Sequence, residues 1–235
     1  MVPTPARAEF LGGPVLALDT GSPQVSVAVA ADGLLAASRS LPQSSSSREL
    51  LPAIDQALRR SGLTLGDLGG LIALAGPGSF TGLRVGLATA LGLHQATGIA
   101  ATTLPTLEVL AAASEEVGIR VAAVDARRGE WVLQAFAGSP PEALGGSFRC
   151  SAEEIPQRVR GLQEGASGAA ATVLGFGVSA LAGEAAAWRG IAVREPPPLA
   201  GVAAQEPFRR ELSWDPEALT RPLYFRPPAV TVASR

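Results

Sequence analysis

The sequence predicts a two-lobed α/β protein, and three observations carry that expectation. Residues 14–38 read as an antiparallel meander: an apolar run ending at Asp19, a segment with valine at alternate positions (Val25, Val27, Val29), a turn at Asp32–Gly33 and a further apolar run. Residues 70–104 read as strand, glycine-rich loop, helix and strand, which is a parallel crossover unit. The strand–turn–strand theme then returns at 121–136, as two halves built alike would require, without a residue-level repeat.

Each element has a local reason. Ser46 and Glu49 form an S-x-x-E capping box that opens a helix over 46–61. Leu50, Leu51, Ile54, Ala57 and Leu58 share one face of that helix, and Gly62 stops it. GLIALA (70–75) is a short buried strand leading into GPGSFTG. A helix over 83–97 follows, Gly98 ends it, and IAATTL is the next strand. A third helix is expected from Pro105 to about Val117, then the second meander, then a Gly/Pro/Ser turn region at 138–147. Helices are expected near 151–163, 179–187 and 200–212, with strands ATVLGFG and IAVRE between them. The lobe boundary falls near Leu104, so that 1–104 form the first lobe and 105–212 the second. The segment from about 213 to 235 is expected to cross back onto the first lobe. The N-terminal extension and the last nine residues show no pattern of their own.

Composition bounds the function. With 235 residues, 47% of them hydrophobic, the chain has enough material for a sizeable core. No apolar run approaches the roughly 18 residues of a membrane span, and the start lacks a secretory h-region. The expected location is cytoplasmic, with no membrane partner. One cysteine, Cys150, excludes an internal disulfide and a cysteine-based zinc site. The formal charge is −2 and all 19 Lys/Arg positions are arginine, with adjacent pairs at 59–60, 127–128 and 209–210 and the rest scattered, so the chain as a whole is not expected to attract nucleic acid. Without lysine there is no Walker lysine, no Schiff base and no Ser–Lys dyad.

Two segments could carry chemistry. In Gly76-Pro77-Gly78-Ser79-Phe80-Thr81-Gly82, glycines precede a helix whose first N–H groups lack partners. Such a loop can cradle phosphate, or it can be a tight turn in which glycine permits close packing. Asp19-Thr20-Gly21-Ser22 follows an apolar strand. In sugar-kinase, actin and Hsp70-type folds such a turn approaches nucleotide phosphate and Mg²⁺, and a plain hairpin turn is the alternative. Asp125, ending the matching strand of the second half, is either the second phosphate-side carboxylate or a member of a surface cluster in which Arg127 and Arg128 neutralise it. The candidate nucleotide-proximal set is therefore Asp19, Thr20, Gly76, Gly78, Ser79, Gly82 and Asp125. His94, the single histidine, lies on an apolar helical stripe and is expected to pack rather than catalyse.

Together LALDT (16–20), ELLPAI (49–54), GPGSFTGLRVG (76–86), VDARRGEW (124–131), LGFG (174–177) and PLYFR (222–226) resemble the bacterial TsaB (YeaZ) family of tRNA threonylcarbamoyladenosine biosynthesis proteins. GPGSFTGLR is the most specific of these segments. The resemblance implies a duplicated actin-like, ribonuclease H-like fold and a partnership with a catalytic homologue, TsaD, and an ATPase, TsaE. In that assembly a threonylcarbamoyl group passes from threonylcarbamoyl-AMP to N6 of the adenosine next to the anticodon of ANN-decoding tRNAs. The catalytic homologue carries an H-x-x-x-H metal motif where this chain reads PTLEVLAAA (105–113). The resemblance thus implies the non-catalytic member, with no cofactor of its own, ATP and metal residing on the partners, and tRNA reached only through the complex. An autonomous actin-like-fold kinase or ATPase is the alternative.

The helix over 83–97 is apolar almost all round, which is the mark of burial or of an interface. Its place beside the helix over 46–61 favours an interface with the homologue, or with a second copy in its absence. The residues expected there are Leu50, Ile54, Leu58, Leu83, Leu87, Leu91, Leu93 and His94.

Overall fold

The computed structural model describes Phe10, residues 12–183 and residues 186–225. Expectations for the first nine and last nine residues lie outside the described residues, as does the side chain of Ser46 in the expected capping box.

Two sheets organise the chain. In the first, β1 (Val15–Asp19), β2 (Gln24–Ala31), β3 (Leu34–Pro42), β4 (Gly70–Gly76) and β5 (Ala100–Pro105) lie in the order β3-β2-β1-β4-β5. β1 and β2, and β2 and β3, are antiparallel; β1, β4 and β5 are parallel. The second sheet holds β6 (Ile119–Arg127), β7 (Glu130–Ala137), β8 (Glu142–Ala143), β9 (Phe148–Ser151), β10 (Ala171–Leu174) and β11 (Ala192–Arg194). Its path is β11-β10-β6-β7, with both β8 and β9 running along the far edge of β7. If β6, β7, β9, β10 and β11 are set against β1 to β5, strand order and every direction agree. This is the duplicated two-lobed fold expected from the sequence. The 138–147 region, read as turn alone, also contains the two-residue β8; its edge pairing has no periodic signal in so short a segment.

Helices α1 (Ser46–Ser61) and α2 (Phe80–Thr97) cover the outer face of the first sheet over a core that includes Leu50, Ile54, Leu58, Leu71 and Leu87. α4 (Ile155–Gly165) and α5 (Val178–Ala182) do the same for the second, over Val121, Leu133 and Val173. Between the sheets lie α3 (Thr106–Ala112) and α6 (Leu199–Arg209), in a core that joins Val15, Ile72, Leu110, Ala122, Phe136 and Leu199. α3 ends earlier than expected. Arg120, 5% exposed, donates from Nη1 to the Ala111 and Ser114 carbonyls, closing the helix end with its charge.

The assignment of 105–212 to the second lobe is corrected for α6. This helix packs on the first sheet: Ala200 N donates to Ser26 Oγ at 3.1 Å and Gln205 Nε2 to the Gly33 carbonyl at 2.9 Å. The return to the first lobe therefore begins at Pro198 rather than near 213. The driving term is apolar burial, since Leu199, Ala200, Ala203 and Ala204 are all fully covered against β1 and β2. Leu199→Ala is expected to cost about 3 kcal/mol. Hydrogen exchange should show the lost protection in β1 and β2; loss confined to the second sheet would contradict this assignment.

The tail completes the first lobe. Thr102 Oγ1 donates to the Ser213 carbonyl, Trp214 stacks on Phe10 with ring centroids 4.7 Å apart, and Leu223 N donates to Ala75 O at 2.8 Å. Among the described residues, no helix is long and apolar enough to cross a membrane.

Candidate functional site

The ends of β1 and β6, the start of α2, α3 and the tail meet at a cleft of about 560 Å³ between the lobes. One wall is the hairpin after β1 (Gly21, Ser22, Pro23) with the loop before α2 (Pro77 to Thr81). Facing it are the end of β6, including Asp125 and Arg127, and Phe176 after β10. Thr106 and Leu110 of α3 and Tyr224 and Phe225 of the tail also border it.

Of the predicted nucleotide-proximal residues, only Gly78, Ser79 and Asp125 border this cleft. Asp19 is fully buried and does not reach it. Its Oδ1 accepts N–H bonds from Gly21 and Ser22, each 3.1 Å, while Oδ2 has no partner. Burial pushes the Asp19 carboxyl up to about 6, against the hydrogen bonds from Ser22 and Gly21. Thr20 is 2% exposed and is covered by α2. Asp125 is half exposed; its Oδ1 accepts from Arg127 N at 2.6 Å, and Arg127 Nη1 lies 3.7 Å from Oδ2. The expectation that Asp19 and Asp125 face one ligand from two sides is therefore corrected: Asp19 is sealed behind the hairpin.

The glycines of the loop are explained by that seal. A Cβ on Gly82 would run into the Thr20 carbonyl, and one on Gly78 would come within 2.7 Å of the Gly21 carbonyl. Ser79 N donates to Gly21 O at 2.8 Å, and Ser79 Oγ accepts from Gly82 N at 3.3 Å as the α2 N-cap. Gly76 has φ +107, with Leu83 and the Leu223 carbonyl against it. Close packing of helix on hairpin thus accounts for the spacing, and of the two readings left open by the sequence this one matches the geometry. Phe80 and Thr81 keep their N–H groups without an acceptor among the described residues.

The predicted interface residues need a larger correction. Leu50, Ile54, Leu58, Leu83, Leu87 and His94 are all under 9% exposed and point into their own lobe. Leu91 and Leu93 are half-buried against the same core. His94 Nδ1 lies 2.7 Å from the Ile99 carbonyl and so carries the proton, tying α2 to β5. The outward row of α2 is instead Arg84, Ala88, Gly92 and Ala96, spaced four apart. Arg84 stacks on Phe80 at 3.9 Å, and its Nε donates to the Tyr224 hydroxyl at 2.9 Å. On α1, Leu51 is 60% exposed.

The second lobe has a cradle that its own carboxylate fills. Gly177 N and Ser179 N, at the start of α5, both donate to the Glu195 carboxylate at 3.0–3.1 Å. An internal anion therefore occupies the place that an external one would take. No cluster of three or more possible metal ligands occurs among the described residues.

Comparison with known proteins fits this architecture. Over 119 residues the chain is 38% identical to the tRNA threonylcarbamoyladenosine biosynthesis protein TsaB of Haemophilus influenzae, covering 49% of this chain and 50% of that one. A solved Pseudomonas aeruginosa protein, described as similar to the peptidase YeaZ, has a TM-score of 0.71 at 22% identity, over 91% of this chain and all of that one. The chain is similar in sequence to TsaB proteins and in fold to YeaZ structures. It spans about half the length of the curated relatives it matches. The family model described as TsaD, tRNA N6-adenosine threonylcarbamoyltransferase, matches residues 40–144, which include α1, α2 and α3. A dehydratase activator from Clostridium difficile, solved with ADPNP, shares the fold at TM-score 0.52 and 11% identity, over 83% of this chain and 94% of that one. The two-lobed fold is thus shared with a protein of different description.

Proposed function

We propose that this chain is the non-catalytic subunit of the assembly that forms threonylcarbamoyladenosine in tRNA. In this reading it pairs with the catalytic homologue TsaD and works with the ATPase TsaE, and the complex transfers the threonylcarbamoyl group from threonylcarbamoyl-AMP to N6 of the adenosine next to the anticodon in ANN-decoding tRNAs. Its kinship with TsaB supports the pathway. The observation that carries the non-catalytic part is the seal over Asp19. The carboxylate and loop that a phosphoryl-transfer relative needs at its cleft are here packed against each other. An autonomous kinase or ATPase would need that carboxylate open to a metal-bound phosphate. ATP, metal and tRNA contacts belong to the partner subunits in this reading, and the cytoplasm is where it operates.

The pairing surface is proposed to be the outer face of α1 and α2, centred on Ala88 and Gly92. Glycine inside a helix costs about 1 kcal/mol relative to alanine. Within this chain nothing lies within 4 Å of a Cβ built on Gly92, so no internal contact requires a glycine there. A partner helix at close approach would require it. Should pairing fail, a second copy would be the alternative occupant of this face.

The isolated chain is expected to hydrolyse Mg·ATP at the buffer rate. A phosphate-release assay on tag-free protein checks this. Turnover above background that Asp125→Ala abolishes would favour the autonomous enzyme.

A further inference from the structure

We infer that the cleft between the lobes is a binding site for a small apolar monocarboxylic acid. The site is independent of the pairing surface on α2 and stands on other residues. Its floor is apolar, formed by Leu110, Val124, Val132, Phe176 and Phe225. Within that wall Thr106 is 1% exposed, and its Oγ1 has no hydrogen-bond partner. A buried hydroxyl without a partner is costly, and a ligand carboxylate oxygen, which can accept more than one hydrogen bond, would accept from it. Thr106 and Leu110 are one helical turn apart on α3, and both residues border the cleft.

At the mouth, the 18-residue helix α2 begins with the unpartnered N–H groups of Phe80 and Thr81. A helix start carries roughly half a positive charge, and two adjacent N–H donors match the two oxygens of a carboxylate. Arg127 adds a cation across the cleft, but Asp125 at 3.7 Å offsets it. The balance fits one negative charge. It does not fit a polyphosphate, which would need metal-binding carboxylates and several cations. Asp19 is sealed, the chain has no lysine, and Glu195 already fills the N–H cradle beside Phe176. The volume of about 560 Å³ lies in the usual range for small-molecule sites.

The test uses the full chain with 8-anilinonaphthalene-1-sulfonate, an apolar monoanion, as fluorescent probe. Saturable one-to-one binding is expected, displaced by 3-phenylpropionate at least tenfold better than by its neutral amide. Thr106→Val should weaken displacement by the acid about tenfold while leaving thermal stability unchanged or higher, because no protein partner is lost. Ala126→Trp, filling the mouth, should abolish probe binding. Three results would overturn the assignment: no saturable binding, displacement by Mg·ATP at lower concentration than by the acid, or unchanged displacement in folded Thr106→Val.

Discussion

Gly92→Arg is expected to leave the isolated chain folded and to lower its affinity for the catalytic homologue by at least about 100-fold. Gly92 is exposed on α2 and a side chain there meets open space. Arginine is also a better helix former than glycine by about 0.8 kcal/mol, so the melting temperature should rise slightly. In a close helix–helix contact the same side chain would hold two backbones apart and bury an unpaired guanidinium, which costs several kcal/mol. Gly92→Ala separates the two effects: similar monomer stabilisation with only a small loss of pairing. The outward position matters for the choice of residue. Leu93 packs partly on its own core, so Leu93→Glu would mix misfolding with loss of pairing. Calorimetric titration against the purified homologue reads the affinity; native affinity in folded Gly92→Arg would place the pairing surface elsewhere.

Asp19→Asn is expected to stabilise the chain at pH 7.5 and to flatten its stability between pH 4 and pH 7. The Asp19 carboxyl is raised from 3.8 to about 6, chiefly by desolvation. The folded state therefore holds the proton more tightly than the unfolded state. This group's favourable contribution is fully present below about pH 3.8 and is lost as pH rises through 6. The whole effect is about 3 kcal/mol, because each tenfold gain in proton affinity is worth about 1.4 kcal/mol. Asparagine keeps an acceptor for the Gly21 and Ser22 N–H groups and removes the buried charge, at the expense of an amide donor where Oδ2 had no partner. Urea unfolding across this pH range gives the comparison. A wild type whose stability rises with pH as steeply as the variant's would show that Asp19 is not sealed.

The elements that local patterning governs were legible in the sequence: the two meanders, the parallel crossover after the glycine-rich loop, and the stop of α2 at Gly98, which has φ +75. Non-local contacts were not. The glycines at 78 and 82 are set by the backbone of residues 20 and 21, some 60 positions away, so their spacing alone could not separate a packed loop from a phosphate cradle. Chain order alone places α6 with the second lobe, whereas its alanine-rich face is buried on β1 and β2. On α2, leucine at 83 and 87 marks the inward face, and the outward row of small residues gives no apolar signal although it bears the proposed pairing surface. Thr106 carries no sequence signal, because what distinguishes it is burial of its hydroxyl without a partner.

The most direct test of the central claim is reconstituted threonylcarbamoyl transfer to an ANN-decoding tRNA, with the homologue and ATPase present and this chain added or withheld. A non-catalytic partner role predicts transfer only when the chain is present, retained with Asp125→Ala and lost in parallel with pairing in Gly92→Arg. Transfer at the same rate without the chain, or loss of transfer in Asp125→Ala with pairing intact, would contradict that role.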